Sequence, residues 1–365
     1  MTLIEHLTIV KDIRSDTNRK HDLVDVIFLV ISAIISGAEG WQDIETFGDN
    51  KFSWLSKHRA FENGIPRRHT IARILRSIVA ETLLEALLNW VNDQRTINGK
   101  PIIAFDGKVL RGSYRHDSKN ALQLVTAYDT KNGLVLSQKS TPNKKSEIST
   151  VRDMLSSLNI KGAVITLDAL HCQRDTLELI HEHKAQIVVQ VKNNQPNLRR
   201  AVQEQFQAIF DAGKEKAIIE LKEQGHGRQE ERYVFQIKAK LPAELMDKWP
   251  TIRSIIAVER HRTINEKRSI ETSYYVSSMS PKHKMIHHYI RQHWRIENSQ
   301  HYVLDVVFNE DKSRIVMEDA VEHMALFRRF VLNILKQSQC GAPSQRNKLK
   351  KAGWNDEYRA QLFFG

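Results

Sequence analysis

Two short apolar runs end in the same way, and they constrain the fold more than any other feature of the chain. Pro101-Ile102-Ile103-Ala104-Phe105 leads into Asp106-Gly107, and Ala163-Val164-Ile165-Thr166-Leu167 leads into Asp168. Such runs, rich in β-branched side chains and bounded by turn residues, read as strands covered on both faces, as in the centre of an α/β sheet. A carboxylate at the C-terminal end of a buried strand stands where open α/β sheets form their sites. Among apolar neighbours it is costly unless a cation meets it. Two of them on neighbouring strands repel each other. A divalent cation removes that repulsion, and oxygen donors select Mg²⁺ or Mn²⁺ over zinc. The plainer reading makes each aspartate a cap for the turn that follows it. The recurrence of the pattern on two equivalent strand ends favours the site.

The rest of the chain places these strands. Residues 1–98 read as a helical module, with helices over Asp22–Ser36, Trp41–Gly48, Ile65–Val79 and Glu81–Gln94. From 99 to 191 the order is strand, hairpin, helix, strand, helix, strand: the two runs above, Ala121–Tyr128 and Leu134–Gln138 across Asn132-Gly133, helices at Glu147–Leu158 and Arg174–His183, and a third buried strand at Ile187–Val191. Residues 192–280 carry a helix at Asn197–Ala212 and several strand candidates, with Gly225-His226-Gly227 as a turn, and read as a β-rich insertion. Residues 281–336 are helical again (Lys282–Val303 and Val316–Lys336), and 337–365 reads as a basic, partly mobile tail. The fold class expected is α/β, a mixed sheet flanked by helices.

Charge and motifs exclude several functions. The net charge of +12 lies wholly after residue 100, since the first 100 residues hold 13 basic and 13 acidic side chains. A cationic surface suits a polyanion, nucleic acid above all. Two distant cysteines, Cys172 and Cys340, make neither a zinc ribbon nor a disulfide framework. The N-terminus lacks a signal-peptide pattern, and the apolar run Val26–Ile35 is far shorter than the ~20 residues of a membrane span, so a cytoplasmic protein is expected. No GxxxxGK[ST] occurs, so no nucleotide cofactor is expected. Candidate DNA contacts are Arg67, Arg68 and Arg73 on the 65–79 helix, which would suit a helix-turn-helix reader. Lys108 and Arg111 after Asp106, and Lys192 and Asn194 after the third buried strand, are further phosphate-binding candidates.

A third carboxylate, Glu297, sits in HWRIENSQHYVLDVVFNEDKSR. His293, Glu297, His301 and Asp305 follow at four-residue steps and share one helix face. Facing inward, Glu297 would complete a two-metal cage, with Asp305, Glu310 and Asp311 as competitors for that role.

Taken together, FDGKVLRGS, LDALHCQ and RIENSQHYVLDVVFNED resemble the DDE transposases of bacterial insertion sequences, and among them the H-repeat-associated group, over nearly the full chain. The resemblance implies an RNase H-like core with Asp106 on its first strand, Asp168 on its fourth and Glu297 on a late helix. It implies two Mg²⁺ or Mn²⁺ ions held by these three residues. It implies a DNA endonuclease and strand transferase that cuts terminal inverted repeats and joins them to target DNA, working as a homodimer on double-stranded DNA in the bacterial cytoplasm, at the nucleoid. The 129 positions from Asp168 to Glu297 leave room for the β-rich insertion that related cut-and-paste enzymes carry. One departure stands out. The Tyr, Arg and Lys that accompany the glutamate in the wider superfamily are replaced by Ile290, His293 and Leu304. His293, Arg295 or Lys312 are the candidates to take over the DNA clamp. Two other functions fit the same residues: a metal-dependent RNase H-like endonuclease without strand transfer, and an inactive DNA-binding copy.

Overall fold

The computed structural model describes residues 2–94, 100–113, 121–143, 146–213, 217–225, 228–338 and 344–364. Along the chain, six helices come first: α1 (Leu3–Leu7), α2 (Leu23–Ile35), α3 (Trp41–Asn50), α4 (Phe52–Leu55), α5 (Arg68–Arg76) and α6 (Ala80–Gln94). Then follow β1 (Ile102–Val109), β2 (Gln123–Asp129), β3 (Leu134–Thr141), α7 (Glu147–Ser157), β4 (Val164–Leu167), α8 (Arg174–Glu182), β5 (Gln186–Val191) and α9 (Pro196–Asp211). The remainder is β6 (Ile219–Gly225), β7 (Arg228–Lys238), α10 (Ala243–Lys248), β8 (Ser254–Ile264), β9 (Lys267–Ser277), α11 (Ile286–His293), α12 (Tyr302–Val306), α13 (Glu318–Gln337), α14 (Gln345–Trp354) and α15 (Asp356–Phe364). Two compact units emerge, one of residues 1–96, 107–147 and 297–365, the other of residues 97–106 and 148–296. Strand β1 runs from the second into the first. The Gly225–Gly227 turn and Cys340 lie partly or wholly outside the described residues.

The first unit is built around α2 and α13. Asp22 caps α2 by accepting from the Asp25 N–H at 3.0 Å, and Gly37, at φ +99, ends it by returning its N–H to Ile34. Almost every residue of α2 is buried, because α1, α3, α5, α13 and α14 all pack on it. That is why its sequence is apolar all round. On α13, Asn333 donates to the Val135 carbonyl at 2.9 Å and accepts from the Val135 N–H at 2.8 Å, docking the helix on β3.

The 337–365 stretch is not a tail. It folds as α14 and α15, and three of its cations have structural tasks or neighbours. Lys348 is buried and donates to the Leu335 and Ser338 carbonyls at the end of α13, a site where helix-end carbonyls favour a cation. Lys351 lies over the Tyr358 ring. Arg359 is wholly buried, with its guanidinium 4.1 Å from the Trp54 ring centroid and 5.2 Å from that of Phe47, and it donates to the Ala352 carbonyl at 2.7 Å. Composition alone hides this, since an arginine buried by two aromatic rings counts as surplus charge.

The second unit is a sheet in the order β1-β4-β5-β9-β8-β7-β6. β1, β4 and β5 are parallel, with α8 as the crossover between the last two, and the other pairs are antiparallel. The stretch read as an insertion extends this sheet: β9 pairs with β5, Val189 opposite Val276. On one face, Ile102, Val164, Val188, Tyr275, Ile256 and Val234 form a layer under Ile286, Tyr289 and Ile290 of α11. The helix expected over Lys282–Val303 is interrupted at Trp294, where α11 ends. The mixed sheet, with helices on it and a β2–β3 hairpin following β1, is the α/β arrangement expected from the sequence. No described helix is long and apolar enough to cross a membrane.

Replacing Arg359 with alanine is expected to cost about 2–4 kcal/mol, from the lost cation–π contacts, packing and carbonyl hydrogen bond. Urea unfolding of wild type and Arg359→Ala measures it, and a change within 0.5 kcal/mol, as for a typical surface substitution, would return 337–365 to the status of a tail.

Candidate active site

The parallel register of β1 and β4 decides where the aspartates fall. Ile102 pairs with Val164 and Ala104 with Thr166. Asp168 keeps an extended backbone (φ −73, ψ 177), so the same register sets Asp106 beside Asp168. Neighbouring strands lie about 4.8 Å apart, and the period of two puts both side chains on the face of Ala104 and Thr166. Phe105 and Leu167 before them are buried, whereas both aspartates are partly exposed; Asp168 directly follows β4, but β1 runs on to Val109, so Asp106 lies within its strand and not at the end expected from the sequence. The register thus sets the two aspartates at neighbouring positions of adjacent strands.

The capping reading of Asp168 holds. Its carboxylate accepts from the Leu170 N–H at 3.0 Å and caps the 3-10 turn Ala169–His171. This fixes one oxygen and orients the other. His171 is buried, with Nε2 3.8 Å from the same carboxylate. On α11, the His293 ring meets the Thr166 hydroxyl at 3.3 Å. Burial pushes the His293 imidazolium down to about 4, against the opposing pull of the Asp168 charge. The ring is therefore neutral near pH 7. It supplies a hydrogen-bonding nitrogen where the wider signature has an arginine's charge.

The loop after β5 supports the Asp168 turn. Asn194 donates its amide to the Ala169 carbonyl at 2.5 Å, and Gln195 donates to the Cys172 carbonyl at 3.0 Å. Asn194, read as a DNA contact, thus has a structural task, while Lys192 is exposed. Cys172 is buried and burial pushes its thiol up to about 12, so it is inert.

Glu297 belongs to the first unit, where it opens a π-helical turn, Glu297–His301, and is exposed. Its competitors are already engaged. Lys108, read as a DNA contact, is buried and donates to Asp305 and, at 3.0 Å, to Glu310. Arg329, wholly buried on α13, reaches Glu310 at 2.6 Å. Burial opposes the Glu310 charge, but Arg329 and Lys108 outweigh it and bring the carboxyl down to about 2. Burial raises the Asp305 carboxyl despite Lys108. Burial pushes the His301 ring down to about 3. The Lys108 correction has a simple physical cause: an alternating strand turns Lys108 inward, and an inward lysine needs carboxylates. The available signal was Phe327-Arg328-Arg329-Phe330, two arginines inside an apolar helix pattern, which call for a buried acid.

The glycines of DGKVLRGS answer to space. A Cβ on Gly107 would stand 2.7 Å from the Glu147 carboxylate, and one on Gly112 only 2.4 Å from the Ser313 carbonyl oxygen. Arg111, between them, is largely exposed, 3.7 Å from Asp311. Arg295 is exposed and touches Gln292 at 3.3 Å.

In the N-terminal helices, Glu45 accepts from the Arg68 N–H at 2.8 Å and from Arg67 at 3.0 Å, and these bonds lower its carboxyl. Arg68 also reaches Gln42 at 2.7 Å, while Arg73 and Arg76 are exposed on α5 opposite the buried Ile71, Ile74 and Leu75. Residues 51–67 separate α3 from α5, so the turn of about 3–4 residues that defines a helix-turn-helix is not formed there.

Two family models match the chain. Residues 97–334 match the model described as "Transposase DDE domain", and residues 4–91 match the one described as "DDE_Tnp_1-associated". The chain belongs to the DDE-domain transposases. This transposase is 35% identical to the "H repeat-associated putative transposase YhhI" of Escherichia coli K12, over 100% of this chain and 98% of that one. It is 37% identical to the "H repeat-associated putative transposase YbfD" of the same strain, over 67% of this chain and 96% of that one. A shorter relative, the "Inactive transposase YbfQ", is 48% identical over 20% of this chain and 87% of its own length. A solved piggyBac transposase synaptic complex with hairpin DNA has a TM-score of 0.41 at 10% identity, covering 99% of this chain and 78% of that one.

The buried ion cluster gives a pH-dependent test. Glu310 titrates lower when folded than its ordinary value of 4.5, so its stabilisation is complete above 4.5 and is lost as pH falls towards 2. The stability gap between wild type and Glu310→Gln, read from unfolding midpoints, should therefore shrink from pH 6 to pH 3. Glu310→Ala should cost about 3–5 kcal/mol, since it leaves two buried cations unmatched. A gap independent of pH would mean that Glu310 is not held as a buried carboxylate.

Proposed function

We propose that this chain is an active DNA transposase that hydrolyses a phosphodiester at each end of its element and transfers the freed 3′-hydroxyl into target DNA. The observation that carries the reading is the parallel register of β1 and β4, Ala104 opposite Thr166, two residues before Asp106 and Asp168, in a chain matched to the transposase DDE domain. Two partly exposed carboxylate donors fit a hard divalent cation, Mg²⁺ or Mn²⁺. Asp106 and Asp168 would hold it, with Glu297 as the third ligand that the motif assigns and two ions in all. Bound there, such ions supply Lewis-acid stabilisation of the attacking and leaving oxygens.

The chain's own residues have distinct tasks in this reading. The Leu170 N–H fixes Asp168, and the Asn194 amide holds the turn that carries it. Neutral His293 orients groups beside Asp168 by hydrogen bonding. Arg73 and Arg68 on α5, with Arg111, Lys192 and Arg295, are the exposed side chains assigned to DNA phosphates, in terminal repeats and target. Arg67, tied to Glu45, serves DNA only by sharing that pair, and Lys108 is withdrawn from the set. Joining two element ends calls for a homodimer on DNA, acting at the bacterial nucleoid.

The test is cleavage and strand joining on a duplex carrying the inverted repeats that flank the gene, with Mg²⁺. Asp106→Asn and Asp168→Asn should each lower cleavage by roughly 10³-fold, the equivalent of several kcal/mol of transition-state stabilisation, with DNA affinity retained. Wild-type cleavage in either variant would remove the site. Cleavage without joining would make the protein a nuclease, and steeply salt-dependent binding without chemistry would make it a DNA-binding copy.

A further inference from the structure

The turn that carries Glu297 is held by a cation from another helix. Residues Glu297–His301 are wound as a π turn, which leads into α12, where Leu304 is buried. A π turn is a rare winding that recurs at functional sites. Relaxing it to α geometry shifts the register by one residue and rotates what precedes it by about 100° around the axis. The turn also has an internal cost. Gln300 is wholly buried, and neither atom of its side-chain amide finds a hydrogen-bond partner among the described residues. Something must hold this winding in place.

Lys336, in the last turn of α13, provides the hold. Its Nζ donates to the Ser299 carbonyl at 2.8 Å, in the middle of the π turn, and to the Tyr128 hydroxyl at 2.7 Å. The ammonium also stands 4.8 Å from the centroid of the Tyr128 ring, and Tyr128 is wholly buried in β2. An ammonium has three donors and no acceptor, so one lysine ties the turn to the strand without competing for its own bonds.

We propose that Lys336 is a positioning residue for Glu297, keeping the π register through the Ser299 carbonyl and so setting the direction of the carboxylate; this rests on the reading of Glu297 as the third site carboxylate. Small misplacements of a reacting group lower rate more than affinity. Lys336→Met should therefore reduce kcat for Mg²⁺-dependent cleavage of the inverted-repeat duplex by about tenfold or more, with KM within about twofold. Lys336→Arg, which can still donate to both oxygens, should recover most of the loss. Tyr128→Phe keeps the ring and the Ser299 bond and should lose less than Lys336→Met.

Asn333→Leu is the stability control. It removes two hydrogen bonds from the same helix, away from the turn, and should lower Tm without lowering kcat at a temperature where both variants are folded. A wild-type kcat in Lys336→Met overturns the proposal. So does an equal loss of kcat in Asn333→Leu at an equal loss of Tm. If Lys336→Met does not fold, Lys336→Arg and Tyr128→Phe decide: a kcat about tenfold or more below wild type in either of them, although each keeps a donor to the Ser299 carbonyl, overturns it. Glu297→Gln, assayed alongside, separates the two readings. Wild-type cleavage there removes Glu297 from the site and the proposal with it, whereas lost cleavage there with normal cleavage in Lys336→Met removes the proposal alone.

Discussion

Parallel pairing of β1 with β4 is the constraint on which the candidate chemistry depends. Hydrogen bonding from Ile102–Val164 through Ala104–Thr166 leaves no freedom in where Asp106 and Asp168 fall. A slip of one residue would send one of the two carboxylates to the opposite face, because side chains alternate along a strand. The apolar layer of Ile102, Val164 and Val188 packs under α11, and a slip would break the fit of that layer to the helix. The packing of the sheet and the placing of the carboxylates are therefore one problem with one solution.

Much of this was legible in the sequence, for a physical reason. Buried parallel strands are short and apolar, so IIAFD and VITLD announce both strands; VITLD also marks the end of β4, whereas β1 continues through Asp106 to Val109. Helix boundaries were legible where caps spoke clearly, as with Asp22 and Gly37 around α2. The candidate carboxylates stood out because an acid next to an apolar strand run is unusual. What could not be read was the partner of each charge. Lys108, two residues after Asp106, looks like a surface cation until the fold shows Asp305 and Glu310 against it. Asn194 looks like a DNA-facing amide until its bond to the Ala169 carbonyl is seen. These pairings join positions 25 to 202 residues apart. No local pattern encodes them.

The winding of 286–306 was hidden for a different reason. His293, Glu297, His301 and Asp305 recur every four residues, which α geometry turns into a single face. The break at Trp294 and the π turn from Glu297 cancel that inference. His293 and Asp305 indeed have separate environments: one lies against Thr166, the other against Lys108. Nothing in the residue types signals a π turn, because its stability comes from outside. The ammonium of Lys336 and the anchor of Leu304 supply it.

The charge surplus takes on a different meaning in this light. Of the cations after residue 100, Lys108, Arg328, Arg329, Lys348 and Arg359 are buried and have partners inside the first unit. In the second unit, Arg232, Arg260 and Arg291 lie in ion pairs with Glu223, Glu230 and Glu271. A net charge of +12 is thus a poor map of a polyanion surface, because so many of its cations hold the fold together. The cations free to meet a phosphodiester are fewer and specific, and Arg73, Arg76 and Lys192 are among them: exposed, and placed by an amphipathic helix or a strand end. Affinity built from a few placed cations falls less steeply with salt than affinity spread over a dozen, since each neutralised phosphate adds to the slope. Bulk charge and recognition are different properties, and in this chain much of the first is spent on folding.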